Sequence, residues 1–128
     1  MNRYLLDTHT AIWYFSGDNA LSKTAREIIL DLSNRIYLSI ISAWELAIKV
    51  NLGKLEFDCK AARFIHLAET YDFNILPIMP SHLTVLESLP LIHRDPFDRL
   101  LIATAIADEM TFITADENIA RYDVAHIW

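Results

Sequence analysis

Short apolar segments alternate with longer helical patterns along the chain, and this alternation restricts the fold more than any other sequence feature. Residues 3–6, 36–41 and 111–114 are short and rich in apolar, often β-branched side chains, which is typical of buried strands. Helical patterns separate them, and the clearest covers residues 95–110. Strands that alternate with helices form parallel sheets with helices on both faces. The sequence therefore predicts an α/β fold of three layers, α/β/α, with a mostly parallel central sheet.

Capping signals predict where several helices begin. Thr8 or Thr10 is expected to cap a first helix, because hydroxyl side chains bond the free backbone N–H groups of a first turn. Ser42 and Glu45 have the spacing of a capping box, which predicts a helix from residue 42. Asp95 precedes a proline and is expected to cap the helix over residues 95–110. The remaining patterns predict helices over residues 21–32, 61–71, 81–89 and 117–122 and strands over residues 73–78 and 124–127.

Length and composition restrict the class of protein. The 128 residues suit a single domain over residues 1–128, and a net charge of −6 argues against a protein that holds nucleic acid by basic charge alone. The one cysteine, Cys59, excludes a disulfide framework and a cysteine zinc cluster. No apolar run approaches the roughly 18 residues of a membrane span, and no signal-peptide core follows Met1. We therefore expect a cytoplasmic protein with no membrane segment.

Four carboxylates fall where the predicted strands end. Asp7 follows the first strand, Glu45 lies one turn beyond the second, and Asp98 lies in the first turn of the clearest helix. Asp116 comes just after the strand over residues 111–114. In a parallel sheet all four would meet at the edge where ligands bind, and they would repel one another without a cation between them. Clustered carboxylate oxygens suit Mg²⁺ or Mn²⁺, which in pairs promote phosphodiester hydrolysis.

Each of these acids also has a structural interpretation. Asp7 is a possible cap for the helix that follows it, and Asp116 for the short helix after residue 116. Taken alone, Glu45 suits a capping box, and Asp98 suits a first-turn position where a carboxylate complements the helix dipole. Only their joint placement at strand ends favours a shared site.

Other polar and aromatic residues near these acids are weaker candidates. Thr114 is a candidate for orienting water or a neighbouring carboxylate, and Arg99 for contacting phosphate, since arginine binds phosphate with two parallel hydrogen bonds. Lys49 suits either a substrate track or a solvated helix face. The five histidines show no metal-ligand spacing, and His9 is interpreted as a bystander. Trp13 has the helical spacing of a core or interface side chain.

The segments around the four acids resemble the motifs of PIN-domain proteins. The matching segments are residues 5–10 (LLDTHT), 42–49 (SAWELAIK) with 53–55 (GKL), 93–103 (HRDPFDRLLIA), 114–116 (TAD) and 122–124 (YDV). They occur in the family's order and cover nearly the whole chain. Among PIN-domain proteins, the chain is most similar to VapC toxins of type II toxin–antitoxin systems.

This resemblance implies a PIN fold and a Mg²⁺- or Mn²⁺-dependent endoribonuclease that hydrolyses RNA. It implies a VapB-type antitoxin as partner, whose tail blocks the site, and a toxin homodimer. The family's acidic positions fall on Asp7, Glu45, Asp98 and Asp116, and its hydroxyl residue falls on Thr114.

Three other functions are alternatives to the ribonuclease function. A receiver-type phosphoacceptor needs an early acidic pair and a late strand-end lysine, whereas Asp7 is single and no lysine follows residue 60. A phosphatase with an aspartate nucleophile needs a second aspartate at the position of His9. A non-catalytic module of the same fold that binds a partner at its acidic groove stays open, because the motifs alone do not prove turnover.

Overall fold

A central sheet of five parallel strands organises the part of the chain that our computed structural model describes, residues 2–54 and 59–128. The strands are β1 (Arg3–Leu6), β2 (Arg35–Ser39), β3 (Asn74–Leu76), β4 (Thr111–Ile113) and β5 (His126–Ile127), in the spatial order β3-β2-β1-β4-β5. The chain builds one half of the sheet outward from β1 and then returns to build the other half from β4. The strand order therefore changes direction between β1 and β4, which is where ligands bind in open parallel sheets.

Within the described residues, six helices cover the two faces of this sheet. They are α1 (Thr8–Ser16), α2 (Lys23–Leu30), α3 (Ile40–Asn51), α4 (Ala61–Thr70), α5 (Pro80–Glu87) and α6 (Pro96–Ala107). Side chains of α1, α2 and α4 pack in the core on one face, and those of α5 and α6 pack on the other, while α3 contributes to both. The predicted α/β/α architecture is confirmed, and every strand pairing is parallel.

Alternation along the strands divides the core between the two faces. Leu5 and Leu6 are both fully buried, yet Leu6 packs with α1 and α2 whereas Leu5 packs with α6. Phe112 and Ile113 on β4 divide in the same way. Successive strand side chains point to opposite faces, so each such pair contributes to both cores. Full burial stabilises by about 1.5–3 kcal/mol for each large side chain.

Two predicted helix starts are wrong. α3 begins at Ile40, because the Ser39 hydroxyl accepts a hydrogen bond from the Ile41 N–H and acts as the cap in place of Ser42. The predicted second strand accordingly ends at Ser39. α1 has Asp7 at its cap position, so Thr8 lies inside the helix, as does Thr10. Both threonine hydroxyls bond other parts of the structure instead.

Other boundaries agree more closely with the sequence pattern. Asp95 caps α6 by accepting from the N–H groups of Phe97 and Asp98, as predicted. The helix expected over residues 117–122 is a single 3-10 turn, Ile119–Arg121. Leu55, the last residue of the GKL segment, lies outside the described residues. Within the described ranges, no helix combines the length and the apolar character that crossing a membrane requires.

Candidate active site

The candidate site lies at the carboxyl ends of β1 and β4, where the strand order changes direction. Asp7 directly follows β1, and its N–H donates to the Ile113 carbonyl at 3.1 Å, so sheet pairing fixes its backbone. Although Asp7 occupies the cap position of α1, its side chain makes no capping bond. Its carboxylate Oδ2 instead accepts from the Thr114 hydroxyl at 2.7 Å. The structural interpretation of Asp7 as a side-chain cap is therefore wrong.

Thr114 joins two of the predicted acids. The hydroxyl that donates to Asp7 also accepts from the Asp116 N–H at 3.1 Å. Thr114 is almost fully buried, so this geometry is shielded from competition by water. One Asp116 carboxylate oxygen accepts from the Asn118 N–H, while the other lies 3.3 Å from the His93 ring. Asp116 thus stabilises the turn that follows it and also faces the site.

Hydroxyl groups also hold Glu45 in position. Because Ser39 caps α3 in place of Ser42, Glu45 lies in the second turn of α3 and not in a capping box. Its side chain is buried, with only 4% exposed. Its Oε1 accepts from the Thr8 hydroxyl at 3.0 Å, and its Oε2 pairs with the Lys49 Nζ at 2.9 Å. Thr8 lies 2.8 Å from the Ser42 hydroxyl, which can donate to it. Ser42 therefore belongs to the site's support and does not cap α3.

Asp98 lies in the first turn of α6 and lines the same pocket. Its Oδ2 is 3.2 Å from Nε2 of His93, and the same nitrogen contacts Asp116. The ligand atoms of these three side chains all lie within 4.8 Å of one another, a spacing that could hold a metal ion. The sequence pattern did not identify His93 as a site residue, because its contact with Asp116 joins residues that are 23 positions apart.

Burial, and to a lesser degree mutual repulsion, makes two of these carboxylates, Asp7 and Asp98, hard to ionise. Burial raises the pKa of Asp7, although the hydrogen bond from Thr114 opposes the effect. The pKa of Asp98 is raised to about 8, first by burial and then by the negative charges of Asp7, Asp95 and Glu45 and, least, of Asp116. A divalent cation among carboxylates relieves such repulsion. The donor set of carboxylate oxygens fits Mg²⁺ or Mn²⁺.

All four predicted acids line one pocket of about 390 Å³. The pocket is also lined by His9, Thr10, Trp13, Lys49, Asp95 and Ala115. His9 was interpreted as a bystander, but it lies on the pocket wall. Trp13 packs against the core, as predicted, and also lines the pocket. The rings of His9 and Trp13 lie 5.8 Å apart, so an aromatic surface borders the carboxylates.

Arg99, predicted to contact substrate or orient the acids, does not line this pocket. Its guanidinium donates to the carbonyls of Pro90, at 2.7 Å, and Leu89, at 3.3 Å, and to the Tyr122 hydroxyl at 3.3 Å. These bonds fix the loop between α5 and α6. Arg99 therefore has a structural role in the loop that carries His93.

Comparison with known families identifies the fold. A sequence model of the PIN domain family matches residues 4–125, nearly the whole chain. The chain belongs to the PIN domain family. The PIN fold expected from the motifs is thereby confirmed. The strand-end acids of this PIN domain lie within the segments that match those motifs.

Individual relatives of this PIN domain agree with the family match. It is 29% identical over 124 residues to Ribonuclease VapC22 of Mycobacterium tuberculosis, covering 95% of this chain and 93% of that protein. Its fold is similar to a crystal structure of VapBC2 from Rickettsia felis bound to a promoter DNA fragment, with a TM-score of 0.74, 15% identity and 98% of each chain covered. DNA-bound VapBC from Salmonella typhimurium gives a TM-score of 0.68 at 18% identity, covering 100% of this chain and 98% of that one.

Proposed function

We propose that this PIN domain is a metal-dependent endoribonuclease and the toxin of a type II toxin–antitoxin pair. The observation that carries the proposal is the convergence of Asp7, Glu45, Asp98 and Asp116 on one pocket. Similarity to a protein named as a ribonuclease supports RNA as the substrate. The family match over residues 4–125 supports the interpretation of residues 1–128 as a single PIN-like domain.

Asp7, Glu45, Asp98 and Asp116 would hold Mg²⁺ or Mn²⁺ in this proposal. A divalent cation held by carboxylates supplies stabilisation of negative charge on the phosphate and makes water a better nucleophile. Asp7 and Asp98 are the first candidates for direct ligands, since both lie in the pocket and both are held at a raised pKa. Glu45 would bind the cation or accept a proton from the attacking water.

The chain's other pocket residues support a nucleic-acid substrate. The rings of His9 and Trp13 border the acids, and aromatic rings stack on unpaired bases. Lys49 lines the same pocket and carries a positive charge beside Glu45. Thr114 keeps the Asp7 carboxylate oriented toward the pocket through its hydroxyl. Together these groups would bind and orient a phosphodiester next to the acids.

We also propose a VapB-type antitoxin partner and a homodimer. The likeness in fold to chains of VapBC structures supports this architecture for the assembly. Exposed apolar side chains on α3, on α5 and at the cap position of α5 offer contact surfaces: Trp44 is 49% exposed, Leu83 48% and Met79 45%. Since RNA and an antitoxin of this type occur in the cytoplasm, we place the activity there.

Cleavage of a structured RNA pool that includes tRNAs tests the proposal. Wild type and Asp98→Asn would be compared with Mn²⁺, with Mg²⁺ and with chelator, and Asp123→Asn would be the control because Asp123 is an exposed aspartate outside the pocket. We expect discrete products only from wild type and the control, and only with metal. Full activity in Asp98→Asn contradicts the assignment. A wild type that neither cleaves nor binds metal favours a non-catalytic acidic-groove module instead.

A further inference from the structure

His93 bridges two of the acids through one ring nitrogen. Its Nε2 lies 3.2 Å from Oδ2 of Asp98 and 3.3 Å from Oδ2 of Asp116. Asp98 lies on α6 and Asp116 lies in the loop after β4, so the imidazole joins two separate elements of the fold. The three side chains are only 18%, 18% and 29% exposed, which limits the competition from water.

The other ring nitrogen decides what Nε2 can do. The backbone N–H of Asp95 points at Nδ1 of His93, with 3.1 Å between the two nitrogens. A backbone N–H can only donate, so Nδ1 must accept with its lone pair. In the neutral ring the proton then lies on Nε2, because one ring nitrogen donates while the other accepts. Nε2 therefore carries an N–H, and not a lone pair; it donates to Oδ2 of Asp116, and Oδ2 of Asp98 lies 3.2 Å from the same nitrogen.

The backbone around His93 is fixed independently of its ring. The Tyr122 hydroxyl accepts from the His93 N–H at 2.7 Å, and Tyr122 itself is buried. Arg99 donates to the same hydroxyl and to the carbonyls of Leu89 and Pro90. These bonds fix the backbone of the loop, and the Asp95 N–H then fixes the orientation of the His93 ring.

Direct ligation of a metal by Nε2 conflicts with this geometry. Ligation requires a lone pair on Nε2, so the proton of the neutral ring would move to Nδ1. There it would face the N–H of Asp95, and two donors would oppose each other at the same contact. The cluster of His93, Asp98 and Asp116 has the spacing of three metal ligands, but the hydrogen bonding favours only the two carboxylates as ligands.

We propose that His93 is a positioning residue whose Nε2–H orients Asp98 and Asp116 for metal binding without itself ligating the metal. This inference rests on the proposed metal-dependent function. Hydrogen bonds of this kind hold a ligand's orientation before the ion arrives, and their loss typically weakens metal binding by about 10–100-fold. Each carboxylate keeps further lone pairs for the cation, since an ionised carboxylate has about four acceptor positions.

Two substitutions distinguish a donor from a ligand. His93→Gln places an amide N–H near the position of Nε2 and removes the basic nitrogen, whereas His93→Ala removes both. His66→Ala is the control, because His66 is an exposed histidine on α4 outside the pocket. Calorimetric titration of each full-length protein with Mn²⁺ measures affinity, and melting temperatures show that each variant is folded. We expect His93→Ala to bind about 10–100-fold more weakly and His93→Gln to stay within about threefold of wild type.

Two spectroscopic readouts test the same inference without activity. Nitrogen-15 NMR of the metal-free protein reports which ring nitrogen carries the proton, and the signal lost in His93→Gln assigns it. We expect the Nε2–H form. Electron spin-echo measurements on bound Mn²⁺ detect a directly coordinated imidazole nitrogen, and we expect none.

Several results overturn the inference. In the spectra, these are a proton on Nδ1 of His93, or a nitrogen coordinated to Mn²⁺ in wild type that His93→Gln abolishes. In the titrations, they are a Mn²⁺ affinity of His93→Ala equal to that of wild type, or a Mn²⁺ affinity of His93→Gln as weak as that of His93→Ala. If wild type still cleaves RNA with metal, these results refute the role of His93 alone. A wild type without Mn²⁺ binding or cleavage refutes the proposed function together with this inference. Should His93→Ala fail to fold, His93→Gln and the two spectra still decide.

Discussion

Asp98→Asn is expected to stabilise the metal-free protein while it removes activity. In the folded chain, burial and the surrounding charges of Asp7, Asp95 and Glu45 raise the pKa of Asp98 to about 8. In the unfolded chain the carboxyl returns to its ordinary pKa, near 4. Keeping it charged in the folded state therefore costs free energy, and asparagine of the same shape avoids that cost.

The size of this effect follows from the raised pKa. A rise from 3.8 to about 8 corresponds to a cost of about 6 kcal/mol above pH 8. The side chain keeps 18% of its surface exposed, so we discount this for solvent screening to about 1–3 kcal/mol. Loss of the favourable contact with the α6 dipole offsets about 0.3–1 kcal/mol. For a chain of this length the expected rise in melting temperature is about 3–10 °C.

The sign of the pH dependence provides an internal control. A carboxyl with a raised folded pKa favours folding while it is protonated, and that stability is lost as pH rises from about 4 to about 8. The advantage of Asp98→Asn should therefore be large at pH 8.5 and shrink toward pH 4–5.

Scanning calorimetry with chelator at both ends of this range measures the difference, and Asp123→Asn corrects for the change in net charge. Adding Mn²⁺ should raise the melting temperature of wild type more than that of Asp98→Asn, since ligand binding stabilises the folded state. An Asp98→Asn variant that melts at or below wild type at pH 8.5 in chelator would refute this reasoning.

Three further predictions concern residues around the site and at a helix end. Thr114→Val removes the hydrogen bond that lowers the pKa of Asp7, so the acid limb of the pH–rate profile should move to higher pH, and Thr114→Ser should restore it. Arg99→Gln should lower the unfolding free energy by about 1–2 kcal/mol in urea titrations through loss of charge-assisted bonds to the loop, and an unchanged midpoint would contradict that role. Gly17 has φ +68° with open space around it, so Gly17→Ala should cost about 1–2 kcal/mol from backbone strain alone, measured in the same way.

The positions of three of the four acids were predictable because each depends on local pattern. A buried strand followed by an acid predicts Asp7 and Asp116 at a sheet edge, whatever the rest of the chain does. Asp98 follows from its distance to Asp95, which caps α6 as its proline neighbour suggests. The all-parallel sheet follows from the alternation of strands and helices.

The start of α3 was not predictable, because two serines compete for it. Ser39 and Ser42 are both suitable caps, and only Ser42 has an acidic residue three positions later. The choice is made by tertiary contact, since the Ser42 hydroxyl bonds Thr8, 34 residues away. This shift of three residues is what places Glu45 in the second turn, where it faces the pocket.

His93 and Arg99 show a second limit of local pattern. The ring of His93 reaches Asp116 across 23 residues, and its backbone is fixed by Tyr122, 29 residues away. Arg99 lies beside Asp98 in sequence, yet its guanidinium turns to the loop carbonyls of Leu89 and Pro90. Each of these contacts depends on how the α5–α6 loop folds back over α6, and a loop of this kind carries no periodicity to predict it.

An acid at the start of a helix can stabilise that helix and also belong to the site. Asp7 occupies the cap position of α1 without a capping bond, and Asp98 lies in the first turn of α6. Both carboxylates therefore lie near the positive end of a helix dipole, which favours negative charge by about 0.3–1 kcal/mol each. That contribution is smaller than the combined cost of burial and repulsion within the pocket, as the raised pKa of Asp98 indicates. The helix ends thus lessen the cost of assembling the acids but leave an unbalanced negative charge, which is the property that a divalent cation site requires.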